Sequence, residues 1–325
     1  MARSEIMNRS TVFGTLLACC TVVSCRSKPA PVIAVVPETT AQELWESEHA
    51  GVERAARSFG WSVYWNGPSR EDDVQQQIQI LNRAISRDVT GLILSPDHAI
   101  ALISPVRSAL AKGIPTVIVG SPLGITPGDK LSFVVNDDAA TGRLVAQRLK
   151  SRVKSGDTVV ILGVNPAMIS LMERARAVES ALHDALPRLR VIESHNSSFG
   201  FAESEENADE AIRTTPNLRA IVALGIIPSR AAASALFTSN RERRVILIGC
   251  DQDLDLVRLL REGYFDAIIA ENTSVMGSDA VSIIADELSG KTPQAEYVVE
   301  PMLITRDNVD QPDVQQLLDM NWEGQ

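Results

Sequence analysis

The feature that most constrains the fold is a regular alternation of short apolar segments with longer amphipathic ones. Val32–Val36, Gly91–Leu94 and Thr158–Leu162 are runs rich in aliphatic residues, and the stretches between such runs repeat apolar residues at helical spacing. Strands that alternate with helices build parallel sheets covered on both faces. The chain has roughly ten or eleven such strands, too many for one comfortable open sheet, so the sequence predicts an α/β fold with two lobes.

The residues that directly follow each predicted strand are the first candidates for a site. In parallel sheets ligands bind beyond the carboxyl ends of the strands. The candidate segments are Pro37–Trp45, Ser95–His98, Gly120–Pro122, Asn136–Asp138, Val164–Met172, His195–Phe199, Gly225–Pro228, Asp251–Asp253 and Glu271–Ser274.

Sequence motifs of enzymes and of cofactor binding are missing from these segments. No GxGxxG follows a strand, no GxxxxGK[ST] or GxSxG occurs, and the four histidines lack metal-ligand spacing. Asp251 and Glu271 could form an acid–base pair, as in glycoside cleavage. Carboxylates also bind ligand hydroxyls or a cation without any chemistry, and we favour that interpretation: no enzyme, no cofactor and no metal.

The charge of the chain argues against nucleic acid as a partner. The formal net charge is −10 and no basic patch stands out, whereas nucleic-acid binding needs clustered Lys and Arg. Cys250 lies in an apolar strand and is predicted to be an inert buried thiol.

The first residues have the pattern of an export signal. Arg3 and Arg9 precede an apolar run, Thr11–Val23, of about 13 residues, which suits a signal peptide better than a membrane-spanning helix. Val22–Cys25 (VVSC) then resembles a bacterial lipobox, which predicts a signal peptide over 1–24, a lipid on Cys25 and a tether over 25–31. Leu16–Cys19 is a rival lipobox, and a cleaved signal with incidental cysteines is the other alternative. All three place the remaining chain in the cell envelope, periplasmic or extracytoplasmic.

A series of segments, in order, resembles periplasmic sugar-binding proteins of the ribose-binding type. They are Gln75–Leu81 (QQQIQIL), Val89–Asp97 (VTGLILSPD), Ala111–Val117 (AKGIPTV), Asn136–Gly142 (NDDAATG), Val245–Asp251 (VILIGCD), Phe265–Glu271 (FDAIIAE) and Pro301–Val309 (PMLITRDNV). The resemblance runs from Val32 to Val309. It implies the type I periplasmic binding protein fold, with two Rossmann-like lobes joined by a three-strand hinge. One lobe would hold 31–136 plus 272–302, the other 137–271 plus 303–325.

The resemblance also implies a ligand site between the lobes. Carried over position by position, the ligand-contacting residues would be Gln42, Leu44, Trp45, Ser121, Asn136, Met172, Phe199, Gly225, Asp251 and Glu271. Several depart from the family. The family's Asp-Arg clamp falls on Gly120-Ser121, its second-lobe Arg on Met172 with Arg174 and Arg176 nearby, and its Asn-Asp pair on Gly225-Ile226. Glu271 stands where the family often has Gln.

From these features we expect a monomeric, lipid-anchored solute-binding protein. It would capture a sugar or sugar-like molecule by hinge closure and deliver it to the membrane permease of an ABC importer. The alternative is a ligand-sensing protein that signals to a membrane receptor or kinase.

Overall fold

The computed structural model describes residues 30–70, 73–198, 200–242 and 244–321, and these residues form two α/β lobes. Cys25 with its lipobox, the signal segment and Phe199 lie outside them. The strands are β1 (Val32–Val36), β2 (Ser62–Trp65), β3 (Gly91–Leu94), β4 (Thr116–Gly120), β5 (Leu131–Asn136), β6 (Thr158–Val164), β7 (Arg190–His195), β8 (Leu218–Ala223), β9 (Ile246–Cys250), β10 (Ala267–Ala270), β11 (Glu296–Val299) and β12 (Met302–Ile304).

Helices connect these strands and cover both faces of each sheet. They are α1 (Glu43–Ser58), α2 (Val74–Ile85), α3 (Ile103–Ala111), α4 (Asp138–Leu149), α5 (Ile169–Ala185), α6 (Phe201–Thr214), α7 (Ile226–Thr238), α8 (Leu254–Glu262), α9 (Thr273–Leu288) and α10 (Pro312–Leu317). None of the described helices is long and apolar enough to cross a membrane.

Each lobe contains one six-stranded sheet. The first has the order β11-β5-β4-β3-β1-β2 and is parallel throughout. The second has the order β12-β10-β9-β8-β6-β7, with only β12 antiparallel to its neighbour. The predicted α/β fold with two lobes is confirmed.

The chain crosses between the two sheets three times. The crossings lie between β5 and α4, between β10 and α9, and between β11 and β12. Met302 pairs with Ala270 of the second sheet and therefore belongs to the second lobe. The expected boundary placed residue 302 in the first lobe, so the last crossing ends one residue earlier than expected.

Side chains at the carboxyl ends of the strands begin several of the helices. Asp137, Asp253 and Asn272 each accept a hydrogen bond from a backbone N–H in the first turn of α4, α8 and α9. Such caps satisfy donors that a helix start leaves without partners. These members of the candidate segments therefore support helices, and their neighbours are left to face a ligand.

The sequence predicts a helix over roughly Arg230–Asn240, but α7 begins four residues earlier, at Ile226. Pro228 lies in its first turn, where a missing N–H costs nothing because no intrahelical acceptor is available there. The predicted loop Gly225–Pro228 is therefore mostly helix, which moves Ile226 onto a helix that packs inside the second lobe.

Candidate ligand-binding cleft

A cleft lies between the lobes where the carboxyl ends of the two sheets face each other. The space between its protein atoms, including the part that is open to solvent, amounts to about 720 Å³. Its lining comes from the segments after β1, β4, β6, β7, β8, β9 and β10. The rule that ligands bind beyond the carboxyl ends of parallel strands therefore locates the cleft correctly.

Seven of the ten residues expected to contact a ligand line this cleft: Gln42, Leu44, Trp45, Ser121, Gly225, Asp251 and Glu271. Asn136 and Met172 do not line it. Phe199 lies outside the described residues. Asn136 is instead buried beside the first crossing, where its amide donates to Asp138 Oδ1 at 3.0 Å and to Thr141 Oγ1 at 3.1 Å.

Trp45 is the aromatic wall of the cleft. It lies in the first turn of α1, is 6% exposed, and belongs with Leu44 and Ile226 to one apolar cluster that spans both lobes. Its indole Nε1 is buried and has no hydrogen-bond partner among the described residues. A buried donor without a partner is costly to the folded state.

The floor of the cleft in the second lobe is built around Arg174. Its Nε donates to Asp138 Oδ1 at 2.9 Å, its first terminal nitrogen to Asp251 Oδ1 at 3.1 Å, and its second to Glu271 Oε1. The guanidinium is 2% exposed. One buried cation therefore holds three carboxylates that come from separate parts of the chain.

The family's second-lobe Arg falls on Met172 by position, but Arg174 lines the cleft and Met172 does not, and the helix explains the difference. Ser170, Leu171 and Arg174 of α5 line the cleft. Met172 lies two residues, about 200° of helical rotation, from Arg174, and it packs against the apolar cluster beneath α5. Ser170 and Arg174 are four residues apart and therefore share a face of α5. This spacing in the sequence indicates that Arg174 faces the cleft together with Ser170.

Burial and mutual repulsion change the protonation of this cluster. Burial raises the pKa of Glu271 to about 7, although Arg174 opposes the rise. Burial also raises the pKa of Asp251, again against the attraction of Arg174. Burial lowers the pKa of Arg174 itself, but Glu271, Asp251 and Asp138 outweigh that effect and raise it overall. The guanidinium is thus permanently charged, whereas Glu271 gains or loses a proton near neutral pH.

Backbone geometry aims Asp251 and Glu271 at the cleft. Asp251 has a positive φ of 63°, a conformation that Asp adopts more readily than bulky residues do. Gln252 forms two hydrogen bonds with the backbone of Glu271. Gln252 Nε2 donates to the Glu271 carbonyl at 2.9 Å, and the Glu271 N–H donates to Gln252 Oε1 at 3.1 Å. These bonds hold both carboxylates in place at the second crossing.

Direct contacts join the lobes around the cleft. The Leu254 N–H donates to Glu43 Oε2 at 2.9 Å, the Ala99 N–H to the Ala167 carbonyl at 3.2 Å, and the Ser170 N–H to Ser121 Oγ at 3.4 Å. The two lobes are therefore closed against each other, and a ligand between them would be largely surrounded by protein.

The described residues contain the polar groups of a binding site but no metal site. No group of three or more His, Cys, Asp or Glu among them could hold a metal ion. Cys250 is buried and free, and burial raises the pKa of its thiol, which confirms the prediction of a buried thiol. The cleft thus offers an aromatic face, hydrogen-bonding groups and carboxylates, which suit reversible binding.

Comparisons with known proteins agree with this geometry. The sequence profile described as "Periplasmic binding protein domain" matches residues 33–292. The D-allose-binding periplasmic protein of Escherichia coli K12 is 23% identical, over 90% of this chain and 95% of its own. The D-ribose/D-allose-binding protein of Pseudomonas aeruginosa is 22% identical, with the same two coverages.

Solved structures show the same fold. An ABC transporter solute-binding protein from Agrobacterium vitis, bound to α-D-tagatopyranose, superposes with a TM-score of 0.81. It is 19% identical and is matched over 89% of this chain and 99% of its own. The resemblance drawn from the ordered sequence segments is therefore confirmed.

Proposed function

This chain belongs to the periplasmic binding protein domain family, and from that premise we propose that it is an exported solute-binding protein which captures a sugar or sugar-like molecule and delivers it to an ABC importer. The family consists of binding proteins and not of enzymes. The relatives named above bind allose and ribose, which supports a ligand of that size with several hydroxyls.

The observation that carries this proposal is the composition of the cleft between the lobes. Trp45 supplies an aromatic face for the apolar C–H face of a sugar ring. Asp251 and Glu271 supply carboxylate oxygens, which accept strong hydrogen bonds from hydroxyls. Both lobes contribute to the lining, so a bound ligand stabilises the closed arrangement and closure presents a joint surface of the two lobes to a permease.

A thermal-shift screen of the purified full chain, kept in mild detergent, tests the proposal. Ribose, allose, tagatose, arabinose and xylitol would be compared. A ligand at 100 times its dissociation constant stabilises the folded state by about 2.7 kcal/mol, which is a readily measured shift. Glucosamine and galactosamine complete the panel, and we expect at least one of its compounds to raise the melting temperature.

Two tryptophan variants show whether a hit binds in the cleft. Trp45→Ala removes the aromatic wall and should weaken binding about tenfold or more. Trp61 packs against Phe59 and does not line the cleft, so Trp61→Ala is the matched control and should bind normally. Equal binding by both variants would contradict the assignment of the cleft.

We also propose that a lipid on Cys25 anchors the protein outside the cytoplasm. The support is the basic start, the short apolar run and the VVSC segment of the sequence. Metabolic labelling with a fatty-acid analogue should mark the wild type and Cys19→Ser but not Cys25→Ser. Labelling lost only in Cys19→Ser would transfer the anchor to the rival lipobox, and no labelling in any variant would rule out lipidation.

A further inference from the structure

The lining of the cleft carries an excess of negative charge. Two carboxyl groups of the lining, those of Asp251 and Glu271, face one guanidinium, that of Arg174. Asp138 adds a further carboxylate behind Arg174. No second basic side chain among the described residues lines the cleft.

Arg174 is already committed to the protein. Each of its three guanidinium nitrogens donates to a different carboxylate, of Asp138, Asp251 and Glu271. One positive charge among three carboxylates leaves a formal excess of two negative charges. The arginine therefore organises the carboxylates, and these three bonds leave two of its five N–H groups for a ligand.

Asp251 and Glu271 each have one oxygen that Arg174 does not use. The bonds to Arg174 use Asp251 Oδ1 and Glu271 Oε1, and both residues line the cleft. Asp251 Oδ2 lies 3.7 Å from the position that a Cβ on Gly225 would take. Since Gly225 also lines the cleft, the small residue leaves this oxygen open to the cavity.

The raised pKa of Glu271 agrees with a cluster that has too few positive charges for its carboxylates. Burial raises the pKa of Glu271 to about 7 because the single guanidinium does not offset the desolvation and the neighbouring Asp251 and Asp138. A second cation beside Glu271 would favour its ionised form. The cluster is thus complementary to a positive charge that the protein itself does not provide.

Trp45 gives an independent indication of what else the ligand carries. The indole lines the same cleft. Its ring face can pack against the C–H face of a hydroxylated ligand, and the same face attracts a cation. A ligand that satisfies both walls combines oxygen functions with a cationic group.

We propose that this cleft is specific for a small polyhydroxylated molecule that carries a protonated amine, such as an amino sugar or an amino polyol. The inference rests on the proposed function as a binding protein and specifies its ligand class. Asp251 and Glu271 would hold the ammonium group, and Trp45 would contact the hydroxylated part.

Calorimetric titration of the full chain with matched pairs tests this inference. The pairs are glucosamine with glucose, galactosamine with galactose, mannosamine with mannose, and N-methylglucamine with sorbitol, with ribose, allose and xylitol added as neutral compounds. We expect at least one amine to bind ten or more times more tightly than its neutral counterpart and than the neutral compounds.

The other outcomes separate the two proposals. A neutral sugar that binds as tightly as every amine, or more tightly, overturns the inference and leaves the proposed function standing. No binding by any compound overturns both.

A carboxylate-to-amide variant identifies the charge that is responsible. Glu271→Gln keeps the shape and one acceptor but removes a negative charge, so the ratio of amine to neutral affinity should fall about tenfold. Glu262 lies on the surface of α8 beside Arg258, and Glu262→Gln should leave the ratio unchanged. An unaltered ratio in Glu271→Gln would contradict the role given to Glu271.

Discussion

At the scale of single residues, Arg174 decides both the shape and the charge of the cleft floor. Removal of one partner from a buried ionic network leaves the remaining charges uncompensated, which typically costs 3–5 kcal/mol. Here the loss of one guanidinium would leave Asp138, Asp251 and Glu271 facing one another. Proton uptake by Glu271 would relieve part of that repulsion.

We therefore expect Arg174→Ala to lower the free energy of unfolding by about 3 kcal/mol at neutral pH. Arg176 lies on the same helix and is exposed, so Arg176→Ala should change the free energy of unfolding by less than about 0.5 kcal/mol. Urea unfolding followed by circular dichroism measures both. Similar values for the two variants would show that the network contributes nothing to stability.

Glu48 is a second buried carboxyl with an unusual environment. It lies on α1 and is fully buried, and its Oε2 accepts a hydrogen bond from Ser95 Oγ at 3.0 Å while Oε1 has no partner among the described residues. Burial raises its pKa from 4.5 to about 8, with the Ser95 bond opposing the rise. At neutral pH this side chain is protonated in the folded protein.

The pKa of Glu48 predicts how stability depends on pH. Between about pH 4.5 and 8 the folded state keeps a proton that the unfolded chain has released, so stability falls as the pH rises through this window. Relative to Glu48→Gln, the wild type should lose about 1 kcal/mol per pH unit between pH 5 and 8. Urea unfolding at three pH values checks this slope. Glu296 is exposed, and Glu296→Gln, which keeps Glu48, should keep the slope of the wild type.

At the scale of secondary-structure elements, the contact of α1 with α9 anchors the wall that carries Trp45. A Cβ on Gly277 would lie 2.6 Å from the Glu48 carbonyl oxygen, and one on Gly51 would overlap the Ser274 backbone. Glycine at both positions lets the two helix backbones approach closely. Because Ser274 follows the second crossing, this contact also links α1 to the hinge.

Gly51→Ala should consequently be strongly destabilising. The overlap is with backbone atoms, which cannot rotate away, so we expect a loss of about 3 kcal/mol or more. Gly128 has open space around its Cβ position and no positive φ, so Gly128→Ala is the matched control. Thermal unfolding measures the difference, and equal melting temperatures would show that α1 and α9 separate easily.

At the scale of the whole molecule, the closure that we propose would depend on contacts between the lobes as well as on the ligand. Glu43 Oε2 accepts from the Leu254 N–H at the first residue of α8, where the helix dipole favours a negative charge. This contact joins α1 of the first lobe to α8 of the second without occupying the cleft. It therefore biases the equilibrium between open and closed forms.

We expect Glu43→Ala to favour the open form. The radius of gyration from small-angle scattering should increase in the absence of ligand, and ligand affinity should fall about two- to fivefold, as for the loss of one partly exposed hydrogen bond of roughly 0.5–1 kcal/mol. Glu43→Gln keeps an acceptor, so its radius of gyration and its ligand affinity should lie between those of the wild type and those of Glu43→Ala. A radius and an affinity unchanged in Glu43→Ala would show that closure does not use this contact.

The sequence by itself determined the architecture and the location of the cleft. Strand and helix periodicities are local properties of the chain. Gly91–Leu94 is therefore a strand over the predicted residues, and α5 begins one residue before Ser170, where the apolar spacing predicts a helix to start. The rule for carboxyl ends of parallel strands then brought Trp45, Asp251 and Glu271 to one site.

Only the tertiary structure decided how the charges in that site are paired. Asp138, Arg174, Asp251 and Glu271 are far apart in sequence, and no local pattern indicates that one guanidinium contacts three carboxylates. The pKa values of these groups depend on burial and on neighbours brought in by other elements, which are long-range consequences of packing. The position of the cleft was therefore readable from the chain, whereas its net charge and the ligand class that this charge favours required the folded arrangement.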